Sequence, residues 1–521
     1  MALANYFSKD LLAINRLVNT SHPILEEMLN KTVVTIAFDE NAIKTVEGKF
    51  GLDLIIRLLA RLYPKIKLVD LSERNEEKKV ELISLAKEIN SGIEIVSPEC
   101  EEDIYIVAGY TSKEIISKGL IINFGSDNWI SKFSTSTRKS FGSTENPFGC
   151  GISACIVASN VFRYIFRDFL KDNLFDTELE MSVFTLSMEE TETINPILEN
   201  IIFDDVIVVG VGAIGNGLIW ALSNLTSLKG DIQLIDHETI SLSNLQRYIL
   251  FKEIDKDRDK IEIAGSFFKQ ENLKVSLLKG KWIDYVIYRG NWNINCVAVG
   301  IDNEKDRIGI QNSLPKYIYN AFTETESIGI TRHKDFEMRA CLACSYIPTK
   351  KKKDFIVEVA ENCNIPDKSE MVKDYYNLQK TVDEVWGPKY NESLLDAVGN
   401  ANGINISDLS QFVGMQINQF YSNFVCGGVI LKLTNVENKI VNVDAPLAFQ
   451  SAMAGILLAA ELVKHFINPD LVLEDRTDIY HLSPMQKGFN PYHRIIEKDK
   501  TNRCFCKDED FIKRYKEKWM N

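Results

Sequence analysis

The stretch DDVIVVGVGAIGNGLIWALSNL, Asp204 to Leu225, runs from a continuous apolar strand through three spaced glycines into a helix expected to begin near Ala213. Gly210 and Gly212 let the backbone turn tightly and approach a phosphate, and Gly215 allows the helix to pack close against the strand. The start of such a helix offers unpaired N–H groups to an anion. The next strand, DIQLID, ends at Asp236, 21 residues after Gly215, where a carboxylate can receive ribose hydroxyls. Up to Asp236 the pattern suits any dinucleotide or adenosine nucleotide, a nicotinamide oxidoreductase included.

The residues that follow separate acid activation from redox chemistry. HETISLSNLQRYILF comes next, and in a helical turn Asn244 and Arg247, three apart, project to similar sides and can meet the phosphates of one triphosphate. Lys260 stands 13 residues after Arg247, at the start of the apolar-spaced helix IEIAGSFF. NCVAVGID reads as a buried strand with Asp302 at its C-terminal end, where open α/β sheets place ligand groups. An acid there can hold magnesium, and Asn244, Arg247 and Lys260 can neutralise the remaining charge of ATP. Hydride transfer has no need for a cationic cluster beyond the pyrophosphate.

The chain around this unit has 521 residues, 45% of them hydrophobic, enough for two or three buried cores. A net charge of −13 makes nucleic acid and anionic lipid poor default partners. The start, MALANYFSKDLLAINRLV, lacks the flank, apolar core and cleavage site of a secretory signal. No charge-free run reaches bilayer length, so no membrane association is expected. A cytoplasmic location is the working expectation, and it argues against a disulfide framework for the ten cysteines. The first 170 or so residues already alternate strands (TVVTIAF, KIKLVDL, DIYIVAG, GLIINFG) with helical runs such as Ile152 to Leu170, which is α/β logic. FDENAIKTVEGKFG, with no phosphate loop, occupies its first strand-to-helix passage, so this unit looks like a nucleotide-type fold without its nucleotide signature, suited to structure or docking.

GVGAIG at 210–215, LIDHETISLSNLQR at 234–247, DRDKIEIA at 257–264 and GIDNEKDRIGIQN at 300–312 together resemble the ubiquitin-activating and sulfur-carrier-activating (ThiF-like) adenylation family. The resemblance covers residues 203 to about 345 and resumes from about 425 to 506. It implies an α/β, Rossmann-like adenylation fold in which Gly210, Gly212, Ala213, Gly215 and Asp236 bind the nucleotide. Asn244, Arg247 and Lys260 would handle phosphates and Asp302 would hold Mg2+. Glu238, where aspartate is usual, and Tyr248, where glutamine is common, depart from the family pattern. Large members carry an inactive copy of the fold ahead of the active one, which implies five segments. These are an inactive adenylation-like α/β domain (1–175), a bridge (176–202), the first part of the active domain (203–344), a mostly helical cysteine-bearing insertion (345–425) and a second part with a zinc-binding end (426–521). Such a chain is an internal pseudo-dimer, or else forms a homodimer. Family members also take an arginine from a partner domain, for which Arg16 is a candidate.

Two close cysteine pairs, Cys341 with Cys344 and Cys504 with Cys506, can close a tetrahedral Zn2+ site of four thiolates; ordinary free thiols are the alternative. Family members place zinc at these ends of the fold. Cys363, in the polar setting ENCNIPDKS, is the candidate accessible thiol, and the family's thioester-forming cysteines lie in such insertions near a proline. Cys426 is a weaker candidate, and Cys100, Cys150, Cys155 and Cys296 read as packing residues. The four lysines at 350–353 read as a solvated loop. The resemblance implies activation of the C-terminal carboxylate of a ubiquitin-like protein ending in glycine, then a thioester on Cys363 and transfer to a conjugating enzyme. The alternatives are a sulfur-carrier or peptide adenylyltransferase without an enzyme thioester, and a non-catalytic scaffold.

Overall fold

Runs that are apolar at nearly every position need cover on both faces, and here they form the centres of two mostly parallel sheets. In the first, VVTIAF makes the wholly buried β1 (Val33–Phe38). Around it lie β2 (Lys65–Asp70), β3 (Glu94–Ile95), β4 (Ile104–Ala108), β5 (Leu120–Asp127), β6 (Ile130–Ser134) and β7 (Glu178–Ser182), in the order β3-β2-β1-β4-β5-β6-β7. The second sheet contains β8 (Ile201–Val209), β9 (Leu228–Asp236), β10 (Leu273–Lys279), β11 (Cys296–Val299), β12 (Tyr317–Thr323), β13 (Ile328–His333), β14 (Ile479–Leu482) and β15 (Tyr492–Arg494). Its order is β10-β9-β8-β11-β12-β13-β14-β15. Strands are parallel through β5 in one sheet and β12 in the other, and antiparallel beyond. The two sheets therefore repeat one topology, with β15 added to the second.

The protein is described by a computed structural model covering residues 7–18, 22–188, 196–290, 292–334, 336–347, 354–382, 389–434, 445–467 and 478–520. The lysine run 350–353, part of the expected bridge and the side chain of Arg16 lie outside the described residues.

A shared layer of helices joins the sheets. Helix Ala448–Ile467 packs on helix Ala213–Ser223, so close that a Cβ on Gly455 would collide with the Ile214 carbonyl oxygen. Helix Pro147–Ile165 of the first domain meets the same pair, with Gly151 facing Trp220 and Ile456. This helix is long and apolar enough to cross a membrane by length and composition, but 89% of its apolar window is buried inside the protein. One continuous apolar core contains Ile36 and Phe124 of the first sheet with Val208 and Leu234 of the second.

Between β13 and helix Ala448–Ile467 lies a mostly helical segment that includes Phe355–Asn362, Ser369–Asn377 and Leu394–Asn402. Its helices are separated by turns where the backbone goes left-handed, at Gln379 (φ 53°) and Gly414 (φ 84°).

Candidate active site

The C-terminal ends of β8, β9 and β11 open on a cavity of about 990 Å³ whose lining includes Gly210, Gly212, Ala213, Asp236, Arg247 and Asp302. The loop leaving β8 needs glycine twice. Gly210 has φ +93°, and a Cβ on Gly215 would strike the Gly210 carbonyl oxygen. Gly212 is the N-cap of helix Ala213–Ser223 and has no side chain to cap it, so the first helical amides stay open toward the cavity. Asp236 secures this loop: Oδ2 accepts from Val211 N at 2.8 Å and Oδ1 from Glu238 N at 2.9 Å. Each oxygen keeps a second lone pair for a ligand hydroxyl.

Asp302, exposed, lies three residues beyond the end of β11, before a helix capped by Asn303. Arg247 ends the 3-10 turn Leu242–Gln246, with Nη1 donating to Gln246 Oε1 at 3.3 Å. Asn244 is used within that turn: its Oδ1 accepts from Ser241 N at 3.0 Å in a capping box, and it is absent from the cavity lining.

Lys260, 1% exposed, stands one layer behind the cavity, pairing with Glu238 and donating to Tyr248 Oη at 3.4 Å. Burial opposes its charge, but Tyr248, Asp236 and Glu238 outweigh it and raise the ammonium above its usual range. Burial likewise opposes the Glu238 carboxylate, and Lys260 overcomes it, lowering that pKa. The two family departures, Glu238 and Tyr248, thus form one cluster with Lys260, and both line the cavity.

Lys9, on helix Phe7–Leu17, was not legible in the sequence. That helix packs against the Leu242–Gln246 turn and against helix Val429–Leu433. Burial and then Arg247 push the Lys9 ammonium down to about 7, while Cys426 and Asp302 act in the opposite direction. No motif marks this residue; only packing brings it near the site. Arg307 also lines the cavity, but Nε donates to Ile301 O at 3.0 Å and the guanidinium covers the Tyr346 ring.

The sulfurs of Cys341, Cys344, Cys504 and Cys506 all lie within 4.8 Å of one another, with separations of 3.3 to 3.9 Å for four pairs. Tetrahedral zinc with Zn–S near 2.3 Å requires sulfurs about 3.8 Å apart, so this donor set suits the ion. Asp499 N donates to Cys344 Sγ at 3.4 Å, an outer-shell bond that favours the thiolate.

The expected accessibility of Cys363 is corrected by the structure: it is 1% exposed, at the C-cap of helix Phe355–Asn362 and inside the apolar core. The asparagines on either side of it bond across the helical segment. Asn362 donates to Tyr421 Oη at 2.8 Å, Asn364 takes φ +62° and donates to Ala401 O at 2.8 Å, and Asn402 donates to Cys363 O at 2.9 Å. Cys426 is half-buried; Cys150, Cys155 and Cys296 are buried and Cys100 is partly exposed.

Residues 186–505 match the ThiF family, and the chain belongs to it, a family of ATP-dependent adenylation enzymes. Residues 37–167 match prokaryotic E2 family C, a likeness that the sequence reading did not anticipate for the first domain. The uncharacterized Sinorhizobium fredii protein y4jF is 34% identical over 522 residues, covering 100% of this chain and 98% of that protein. The Caenorhabditis elegans NEDD8-activating enzyme E1 catalytic subunit is 42% identical over 67 residues, covering 12% of this chain and 15% of that protein. Among solved structures, Escherichia coli MccB with ATP has 14% identity and a TM-score of 0.34, covering 58% of this chain. This chain spans 66% of that MccB chain. At those values the likeness leaves the substrate open.

Proposed function

We propose that this chain joins the C-terminal carboxylate of a polypeptide to AMP. The reading rests on one observation: the open glycine loop, Asp236, Arg247 and Asp302 line a single cavity in a ThiF-family fold. A carboxylate oxygen forms a bond to the α-phosphorus of ATP while the bond to the β-phosphate oxygen breaks, giving an acyl adenylate and pyrophosphate. The substrate is itself the nucleophile, so the protein contributes position and charge. Asp236 takes the ribose hydroxyls, and the open amides beyond Gly212 with Arg247 face the phosphates. Lys260 acts from behind, compensating Glu238, whose charge would otherwise repel the triphosphate. Asp302 would hold magnesium, which offsets phosphate charge when bound.

For the substrate class we favour a ubiquitin-like protein ending in glycine, because one segment resembles a NEDD8-activating subunit and the first domain matches prokaryotic E2 family C. The reading without an enzyme thioester is the simpler one for Cys363. Attack by its thiol on the acyl carbonyl, with AMP leaving, would require the helical segment to open first, since the thiol is buried. The four-cysteine cluster is read as a structural zinc site, closed to water and therefore architectural.

The test is exchange of pyrophosphate into ATP that depends on an added small glycine-ended protein and is lost in Asp302→Ala; no exchange with such proteins overturns the substrate class. A thiol-sensitive adduct that disappears in Cys363→Ala would establish the thioester stage, and an unchanged adduct would remove Cys363 from it.

A further inference from the structure

The segment Leu245–Phe251 has two sides. One turns Arg247 and Tyr248 toward the cavity. The other presents main-chain carbonyls to two arginines of the first α/β domain. Arg61 donates from Nη1 to Leu245 O at 2.6 Å, and from Nη2 to Ile249 O and Phe251 O, both at 2.9 Å. Arg57 donates from Nη1 to Ile249 O at 3.1 Å and Leu250 O at 3.4 Å. Its Nε donates to Asp53 at 2.8 Å, and the same Asp53 oxygen accepts from Trp220 Nε1 at 2.9 Å. Arg61 is 1% and Arg57 7% exposed. Asp10, Arg61, Tyr63 and Gln246 also border a small, mostly apolar cavity walled by Leu58, Leu59 and Phe449.

These bonds bracket the phosphate-facing residues, with Leu245 two positions before Arg247 and Ile249 two positions after it. Most of the segment lies beyond the 3-10 turn, without a regular helix to order it. Bonds from buried guanidinium groups are stronger than neutral ones, and the fixed planar fork of arginine defines where its acceptors lie. A displacement of about 1 Å at a charge-stabilising group is enough to cost a large part of its effect.

We propose that Arg61, with Arg57 beside it, is a positioning residue for triphosphate binding: the first domain sets the placement of Arg247 in the second. The inference rests on the nucleotide reading above. It gives the first domain a part in the reaction although its own first strand-to-helix passage lacks the second domain's glycine loop.

The test compares two probes on the full chain, the ATP analogue AMPCPP with Mg2+ and adenosine, by titration calorimetry. Arg61→Met is expected to weaken AMPCPP binding about tenfold or more, while adenosine, which needs Asp236 but no phosphate contact, stays within about twofold. Equal weakening of both probes, which is what a general packing defect gives, overturns the proposal. So does unchanged AMPCPP binding. If Arg61→Met does not fold, Arg57→Met is judged by the same phosphate-selective difference, with about threefold expected because its contacts are longer. Should the unaltered protein fail to bind AMPCPP, the nucleotide reading itself falls; a failure confined to the variants removes this inference alone.

Discussion

The two α/β domains share a strand order and differ at the positions where a nucleotide would sit. Phe38 pairs with Asp70 and Ala108, as Val209 pairs with Ile235 and Val299. One position on from these pairs, Asp39 stands for Gly210 and Leu71 for Asp236, the last residue of β9; three positions on, Thr111 stands for Asp302. The first exchange has a direct consequence. Asp39 caps its own helix, accepting from Asn41 N at 3.0 Å and Ala42 N at 3.3 Å, so a built-in carboxylate already occupies the helix start. In the second domain the equivalent amides are uncapped. The shared topology supports both domains, and under the proposed function a handful of residues at the C-terminal strand ends sets which would receive ATP.

The sharpest way to break this comparison is Asp302→Ala beside Thr111→Ala. The first should reduce ATP–pyrophosphate exchange about a hundredfold or more, and the second should leave it within about twofold, because Thr111 faces no nucleotide. Comparable losses would mean that the first domain carries a site. Second in size is Cys341→Ser, or prolonged chelation. Loss of a closed four-thiolate site should lower the melting midpoint by about 5 °C or more, with metal content falling in parallel by elemental analysis. A metal-free protein of unchanged midpoint would reassign the cluster to free thiols.

Asp39→Ala should cost about 1 kcal/mol in denaturant unfolding, the usual value of a lost helix cap. It should not create a second AMPCPP site by calorimetry, since Leu71 and Thr111 offer no carboxylate. The smallest effect concerns Glu238. Its folded pKa is depressed by Lys260 against burial, so its pairing contributes stability above the ordinary value of 4.5, and that contribution is lost as pH falls through the folded value. Glu238→Gln should therefore flatten the acid side of the melting-midpoint profile, while both proteins converge at lower pH.

Legibility was uneven for physical reasons. Gly210 and Gly215 were readable because backbone geometry tolerates little else there, and the buried strands because unbroken apolar runs need two-sided cover. The cysteine pairs were readable because metal geometry constrains sulfurs and ignores the chain between them. Asn244 and Lys260 were expected at the phosphates, but spacing along the chain could not tell that one would cap its own turn and the other would stand behind Glu238. Cys363 misled because the residues beside it, buried Asn362 and exposed Asn364, bond to segments 59 and 37 positions away while the thiol between them turns into the core.

Local pattern was therefore enough to define the α/β class, the glycine loop and the acids at the strand ends, since these depend on residues within one strand–turn–helix unit. The burial of Cys363, the approach of Lys9 and the grip of Arg57 and Arg61 on Leu245–Phe251 arise between segments nearly 40 to more than 400 residues apart. Such contacts depend on how two sheets share one helix layer, and pairing across that distance leaves no period or motif in the chain.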